Sequence, residues 1–123
     1  MKQRAQGLHL GDLASESYCY LTSTGRVSGE PCEIEIWFAL DGQTLYMLSG
    51  GRDRSDWVKN LTKTPAVSVR IADRTFEGRA RAVDDPDEDG RARRLVFDKY
   101  SATYSGDLTD WRESSLPIAV DLS

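Results

Sequence analysis

Residues 32–40 alternate without a break. Cys32, Ile34, Ile36 and Phe38 fall on one side of an extended chain, and Glu33, Glu35 and Trp37 on the other. A period of two sends successive side chains to opposite faces, so this stretch predicts a half-buried strand. Asp41-Gly42 follows at once as a hairpin turn signal, and residues 44–49 supply the returning strand. Residues 17–24, 66–72, 75–83 and 116–122 read the same way, with Pro117 near the start of the last, where a missing donor is tolerated. A chain of 123 residues that makes six short strands is best served by a closed or nearly closed barrel, which removes exposed sheet edges.

Two helices interrupt the strands. Ser55 is placed to cap the first, which carries Trp57, Val58 and Leu61 on one side and stops at Pro65. Pro86 opens the second, with acids in its first turn, and Leu95, Val96, Phe97 and Tyr100 follow to about Tyr104. The fold predicted is mainly β (α+β), with two or three short helices. Residues 1–16 form an arm docked through Leu8, Leu10 and Leu13, and residues 17–123 form the barrel domain.

The net charge of −4, with five acids packed into residues 84–89, argues against a nucleic-acid partner, which needs a basic footprint. No apolar run reaches the length of a membrane span, and the first residues lack the apolar core of a signal peptide, so a cytoplasmic location is expected. Cys19 and Cys32 are then expected to remain thiols. The single histidine, His9, lies in the arm, and no Cys/His spacing suits a metal, so neither a hydrolytic triad nor metal chemistry is expected.

Against this acidic background the arginines gather at two glycine-bearing turns. The first is Thr24-Gly25-Arg26-Val27-Ser28-Gly29, where Arg26 and Ser28 are candidates to hold a phosphate or carboxylate. The plain alternative is a hairpin turn with a solvated arginine. The second is Gly50-Gly51-Arg52-Asp53-Arg54-Ser55, where Gly50 and Gly51 allow close backbone approach, Arg52 and Arg54 add charge, and the helix behind Ser55 offers free N–H groups. Its plain alternative is a strand-to-helix loop that needs positive φ. Met47, Leu48 and Ser49 lead into this loop, and Trp37, a large apolar ring on a face with two acids, is open to covering a partner surface, covering a ligand ring or plain packing. Trp57 and Asn60 read as structural. Tyr100 and Tyr104 sit about one helical turn apart as candidate proton donors or as core aromatics, and Asp98 and Lys99 read as a solvated face.

In order and spacing these pieces resemble the deazaflavin-dependent nitroreductase family of split β-barrel flavin and deazaflavin oxidoreductases, related to pyridoxamine 5'-phosphate oxidase-like proteins. The matching pieces are Thr24-Gly25-Arg26-Val27-Ser28-Gly29, Gly50-Gly51, Trp57, Asn60-Leu61, and Pro65 before Val67-Ser68-Val69, over about residues 18–82. Val27 stands where that family usually has Lys, and Arg54-Ser55 where it has His-Pro. The resemblance implies a six-stranded split β-barrel of the FMN-binding type. It also implies an oxidoreductase that passes a hydride from a reduced 8-hydroxy-5-deazaflavin coenzyme, or alternatively FMN, to a small planar acceptor such as a quinone, enone or nitro compound. Arg26, Ser28, Met47, Leu48, Ser49, Gly50, Gly51, Arg52, Arg54 and Ser55 would then bind the cofactor, with Met47, Leu48 and Ser49, near Trp37, as an apolar wall along its ring system, and Tyr100 and Tyr104 would be the catalytic pair. A homodimer is a further implication, with Trp37, Trp111 and the strand at 116–122 as interface pieces. The alternative is a non-catalytic carrier of a flavin, deazaflavin or haem.

Overall fold

The computed structural model describes residues 10–123; Leu8 and His9 lie outside them. Seven strands form one antiparallel sheet: β1 (Cys19–Thr24), β2 (Pro31–Ile36), β3 (Ala39–Asp41), β4 (Thr44–Ser49), β5 (Ala66–Ile71), β6 (Arg74–Ala82) and β7 (Leu116–Leu122). Their order is β2-β1-β5-β6-β7-β4-β3. Among the described residues there are three α-helices: α1 (Asp56–Lys63) between β4 and β5, then α2 (Pro86–Ser101) and α3 (Thr109–Ser114) between β6 and β7.

The expected count was six strands. The difference lies in residues 32–40, where the alternating segment breaks at Trp37-Phe38 into β2 and β3. These two strands are the two outer edges of the sheet, yet two residues join them. The chain pairs with β1 as far as Ile36 and with β4 from Ala39 onward, so it steps from one edge of the sheet to the other and curls it into a split barrel. The side chains keep their alternation through the step: Ile36 and Phe38 pack with the barrel core, and Trp37 turns outward.

The barrel core gathers Leu21, Phe38, Leu45, Met47, Val69, Ile71, Ile118 and Val120, none exposed to solvent. Leu10 and Leu13 pack into it, so this part of the arm docks as the sequence suggests. Trimming one such side chain to alanine costs about 2–5 kcal/mol. A second layer (Tyr46, Leu48, Val96, Tyr100, Leu108 and Ala119) lies between the outer face of the sheet and α2. β4 and β7 are therefore buried on both faces. The Leu116–Leu122 strand lies inside the sheet, between β6 and β4, and cannot be an interface piece on its own, against the sequence expectation.

Local signals explain the helices. The Asp85 carboxylate accepts from the Glu88 backbone N–H at 2.9 Å, and Pro86 opens α2. Cys19 and Cys32 are both thiols; Cys32 pairs with Ser23 and Cys19 with Ile36, so the two do not face each other across the hairpin.

Candidate functional site

The step between β2 and β3 leaves Phe38 without strand partners, so its backbone needs other ones. Tyr100 supplies them. Its hydroxyl accepts from the Phe38 N–H at 3.0 Å and lies 2.8 Å from the Ser17 carbonyl and 3.1 Å from the Phe38 carbonyl, either of which can take its proton. Lys99 donates to the same Phe38 carbonyl at 2.9 Å, with its ammonium 3.7 Å from the centre of the Phe38 ring. Burial pushes the Tyr100 phenol up to about 12 and the Lys99 ammonium down to about 8. Lys99 therefore does not belong to a solvated face; its aliphatic stem is packed and its charge is spent on the seam.

Trp37 is fixed by the same joint. Its ring stacks flat on Tyr100, with centroids 4.2 Å apart and planes within 1°. Tyr104 and Trp111 meet it edge-on at 5.7 and 5.6 Å. These rings wall a cleft of about 500 Å³ lined by Tyr18, Glu35, Ile36, Trp37, Leu48, Tyr104, Leu108 and Trp111. Tyr100 is buried and its hydroxyl is engaged by backbone, whereas Tyr104 is 49% exposed and reaches the cleft. An alanine Cβ at Gly106 would lie 2.6 Å from Tyr104 Cε2, so the missing side chain lets that ring settle in place.

The strand leading out of the cleft runs Leu48-Ser49-Gly50-Gly51. Leu48 faces the cleft, but Met47 points the opposite way into the barrel core and is fully buried. The structure therefore separates two residues expected to share one wall, because neighbours in a strand face opposite sides. Gly50 lies beside Trp111. At Gly51 a Cβ would come within 2.4 Å of the Ser55 Oγ, so close approach requires the glycine there. Neither glycine has positive φ; Arg52 does, at 56°. Its guanidinium donates to the Ser114 carbonyl at 2.6 Å, at the end of α3. The Ser55 hydroxyl meets Ser49 Oγ at 3.0 Å and makes no capping bond to α1. Next to Ser114, the buried Ser115 hydroxyl has no partner.

The first turn packs against α1. Asn60 Oδ1 accepts from the Arg26 backbone N–H at 3.1 Å and from its guanidinium at 2.9 Å, and Asp56 pairs with the guanidinium at 3.1 Å. Lys63 donates to the Arg26 carbonyl at 2.9 Å. Ser28 Oγ accepts from the Glu30 N–H at 3.1 Å, inside the turn. A cavity of about 280 Å³ opens here among Gly25, Arg26, Val27, Ser28, Cys32, Asp56 and Asn60. Val27 is 94% exposed and Arg54 is exposed.

Of the residues singled out in the sequence, the fold strings Leu48, Ser49, Gly50, Gly51 and Ser55 from the cleft to the start of α1, with Arg26 held on the side of that helix. Tyr104 joins them at the cleft, while Met47 and the Tyr100 hydroxyl are directed elsewhere. Tyr18, Glu35 and Leu108 are lining residues that sequence reasoning did not select. Glu35 and Trp37 share a strand face, which was the available signal; Leu108 offered none.

Solved structures share this fold. One, an F420 reductase, is 24% identical over 91% of each chain, with a TM-score of 0.64. A protein of Listeria innocua proposed to be a pyridoxamine 5'-phosphate oxidase is 19% identical over 98% of this chain and 94% of its own, with a TM-score of 0.70. A haem-binding protein of Mycobacterium smegmatis is 16% identical over 100% of this chain and 53% of its own, with a TM-score of 0.72. Such likeness fixes the split barrel and leaves the ligand to other evidence. That evidence is the model of the F420H(2)-dependent quinone reductase family, which matches residues 1–123. The chain belongs to the F420H(2)-dependent quinone reductases, and is thus an oxidoreductase that works with a reduced deazaflavin coenzyme.

Proposed function

We propose that the ring-walled cleft seats the deazaflavin head and its acceptor, and that the coenzyme's anionic tail runs along Gly50-Gly51 past the start of α1. The observation that carries this reading is continuity: Leu48 lines the apolar cleft, and the next three residues form the glycine loop. The local chemistry fits an elongated ligand with a flat head and a charged tail. The first turn of α1 has N–H groups that Ser55 leaves uncapped, and the exposed Arg54 brings a positive charge. Arg26 and Ser28 border the second cavity and extend the same polar track.

When bound, the reduced coenzyme supplies a hydride; a quinone that takes it together with one proton becomes the hydroquinone. The protein's share is orientation and the proton. Leu48, Trp37 and Trp111 hold planar rings and exclude water. Tyr104 donates the proton to the acceptor oxygen and regains one from solvent, to which it is open. Tyr100 is a positioning residue that holds Trp37. The proposed acceptor range includes enones, which take the hydride at carbon and a proton beside the carbonyl, and nitro compounds, which take a hydride and a proton and lose water to give the nitroso compound. The reading also includes a cytoplasmic location and a homodimer, the latter checked by sedimentation equilibrium; among the described residues no helix is long and apolar enough to cross a membrane.

Fluorescence titration with the deazaflavin coenzyme, and in parallel with FMN, tests the cofactor site. Binding of the deazaflavin, weakened by Arg54→Gln and Gly51→Ala, is expected. Binding that neither substitution touches would remove the glycine loop from the site.

A further inference from the structure

The cleft that the proposed function assigns to the acceptor has an uneven charge. Tyr18, Trp37, Tyr104 and Trp111 surround it with aromatic rings, and the one charged side chain in its described lining is Glu35. Tyr20, opposite Glu35 in the β1–β2 register, donates its hydroxyl to Glu35 Oε1 at 2.8 Å and fixes the carboxylate's direction. The cations nearby are turned to other tasks. Arg70 lies over the Tyr20 ring at 4.2 Å, approaches Glu33 at 3.9 Å and donates to the Ala72 carbonyl. Lys99 is tied to the Phe38 carbonyl. Arg112 pairs with Glu113 and lies over Phe97 at 4.3 Å. None of the three is part of the cleft's described lining.

Aromatic faces present negative potential, and a carboxylate at their edge adds a full negative charge. Together they attract a cation and repel an anion. We propose that this cleft selects its acceptor by charge, taking planar acceptors that are cationic or electron-poor and rejecting anionic ones, with Glu35 as the residue that sets the preference. The inference rests on the reading of the cleft as the acceptor site and adds the substrate class. Glu35 takes no part in hydride or proton transfer.

The test uses three naphthoquinones that differ only in one substituent: trimethylammonium, a neutral group or sulfonate. Each is titrated into the 123-residue protein without coenzyme, with quenching of tryptophan fluorescence as the readout, at low and high salt. The same series gives KM values in the complete reaction. The cationic member is expected to bind about 3- to 30-fold more tightly than the anionic one, the sum of an exposed cation–aromatic contact and an exposed ion pair. Glu35→Gln and high salt should both narrow that gap.

Trp111→Leu separates the two levels of the argument. If it weakens all three ligands while wild-type protein shows no charge preference, the charge selection is overturned and the acceptor site stands. If quinones bind and Trp111→Leu leaves every affinity unchanged, the cleft is not the acceptor site and both readings fall. A preference that survives unchanged in Glu35→Gln would also overturn the assignment to Glu35.

Discussion

The Tyr100 ring lies flat against Trp37 while its hydroxyl holds the backbone of Phe38, the next residue along. One side chain thus secures both the wall of the cleft and the joint of the barrel. The two tyrosines named from the sequence therefore have different work, and substitution should separate them. Tyr100→Phe keeps the stack but strands the Phe38 N–H, and should cost about 1–3 kcal/mol of stability in urea unfolding. Tyr104→Phe should change stability by less than about 0.5 kcal/mol, as for exposed positions, while lowering turnover with little change in coenzyme affinity. The reverse pattern would return Tyr100 to the chemistry.

Two glycines offer a matched pair of probes. Gly106→Ala places a methyl group where Tyr104 now rests, so turnover should fall with coenzyme binding intact. Gly51→Ala pushes on the Ser55 hydroxyl and fills the close approach, so coenzyme affinity should fall about tenfold, the equivalent of about 1.4 kcal/mol. Equilibrium titration and steady-state rates on both variants decide it.

Acid stability should depend on Glu88. Arg81 grips this carboxylate with two bonds of 2.8 Å, Tyr46 donates to it at 2.6 Å, and Arg81 also pairs with Asp121 at 2.8 Å. The Arg81 hydrogen bonds, first among the causes, hold the Glu88 carboxyl down to about 2. A carboxyl lowered by folding stabilises above its unfolded pKa, and that contribution is lost as pH falls toward the folded value. Unfolding free energy should therefore decline between about pH 4.5 and 2, and Glu88→Gln should flatten that decline. A wild-type slope retained in the variant would place the acid-sensitive group elsewhere.

Lys99 gives the same sense of pH dependence in the alkaline range. Its folded ammonium is lowered to about 8 from an ordinary 10.5, so across that interval the unfolded chain binds more protons and stability should rise with pH. Tyr100, raised from 10.0 to about 12, should then reverse the trend, because the unfolded phenol ionises first. Lys99→Met should remove the rising limb and leave the fall. Thermal unfolding across alkaline pH measures both.

The β5–β6 hairpin turns at Ala72, with φ of 56°, a left-handed value that costs an alanine about 1–2 kcal/mol. Ala72→Gly removes that strain but frees the unfolded chain, for a net gain of about 0.5–1 kcal/mol. No gain in the denaturation midpoint would mean that the turn relaxes without cost.

The sequence made some of this legible and hid the rest for physical reasons. Asp41-Gly42, Pro65 and Pro86 act locally, and each marks a boundary that the structure keeps to within a residue or two. The break at Trp37-Phe38 is different: alternation reports which way a side chain faces, and here the facing continues while the pairing partner changes. Met47 and Leu48 did carry the needed signal, since adjacent strand residues cannot share a wall. Lys99 looked solvated because a charge is read at the end of its stem, whereas the buried carbonyl it meets belongs to a residue 61 positions away. The short helix α3 buries no residue of its own, so it left no periodic trace around Trp111.

The Tyr100 hydroxyl joins the carbonyl of Ser17, just ahead of β1, to the Phe38 step and the end of α2. These points are separated by 83 and 62 positions along the chain. Loosening that end of the helix would release the barrel joint and free the Trp37 ring in one event. The Phe38 amide, lying outside any ladder, should then exchange its hydrogen at the rate at which the cleft itself opens, giving a clock for the site that needs neither coenzyme nor acceptor.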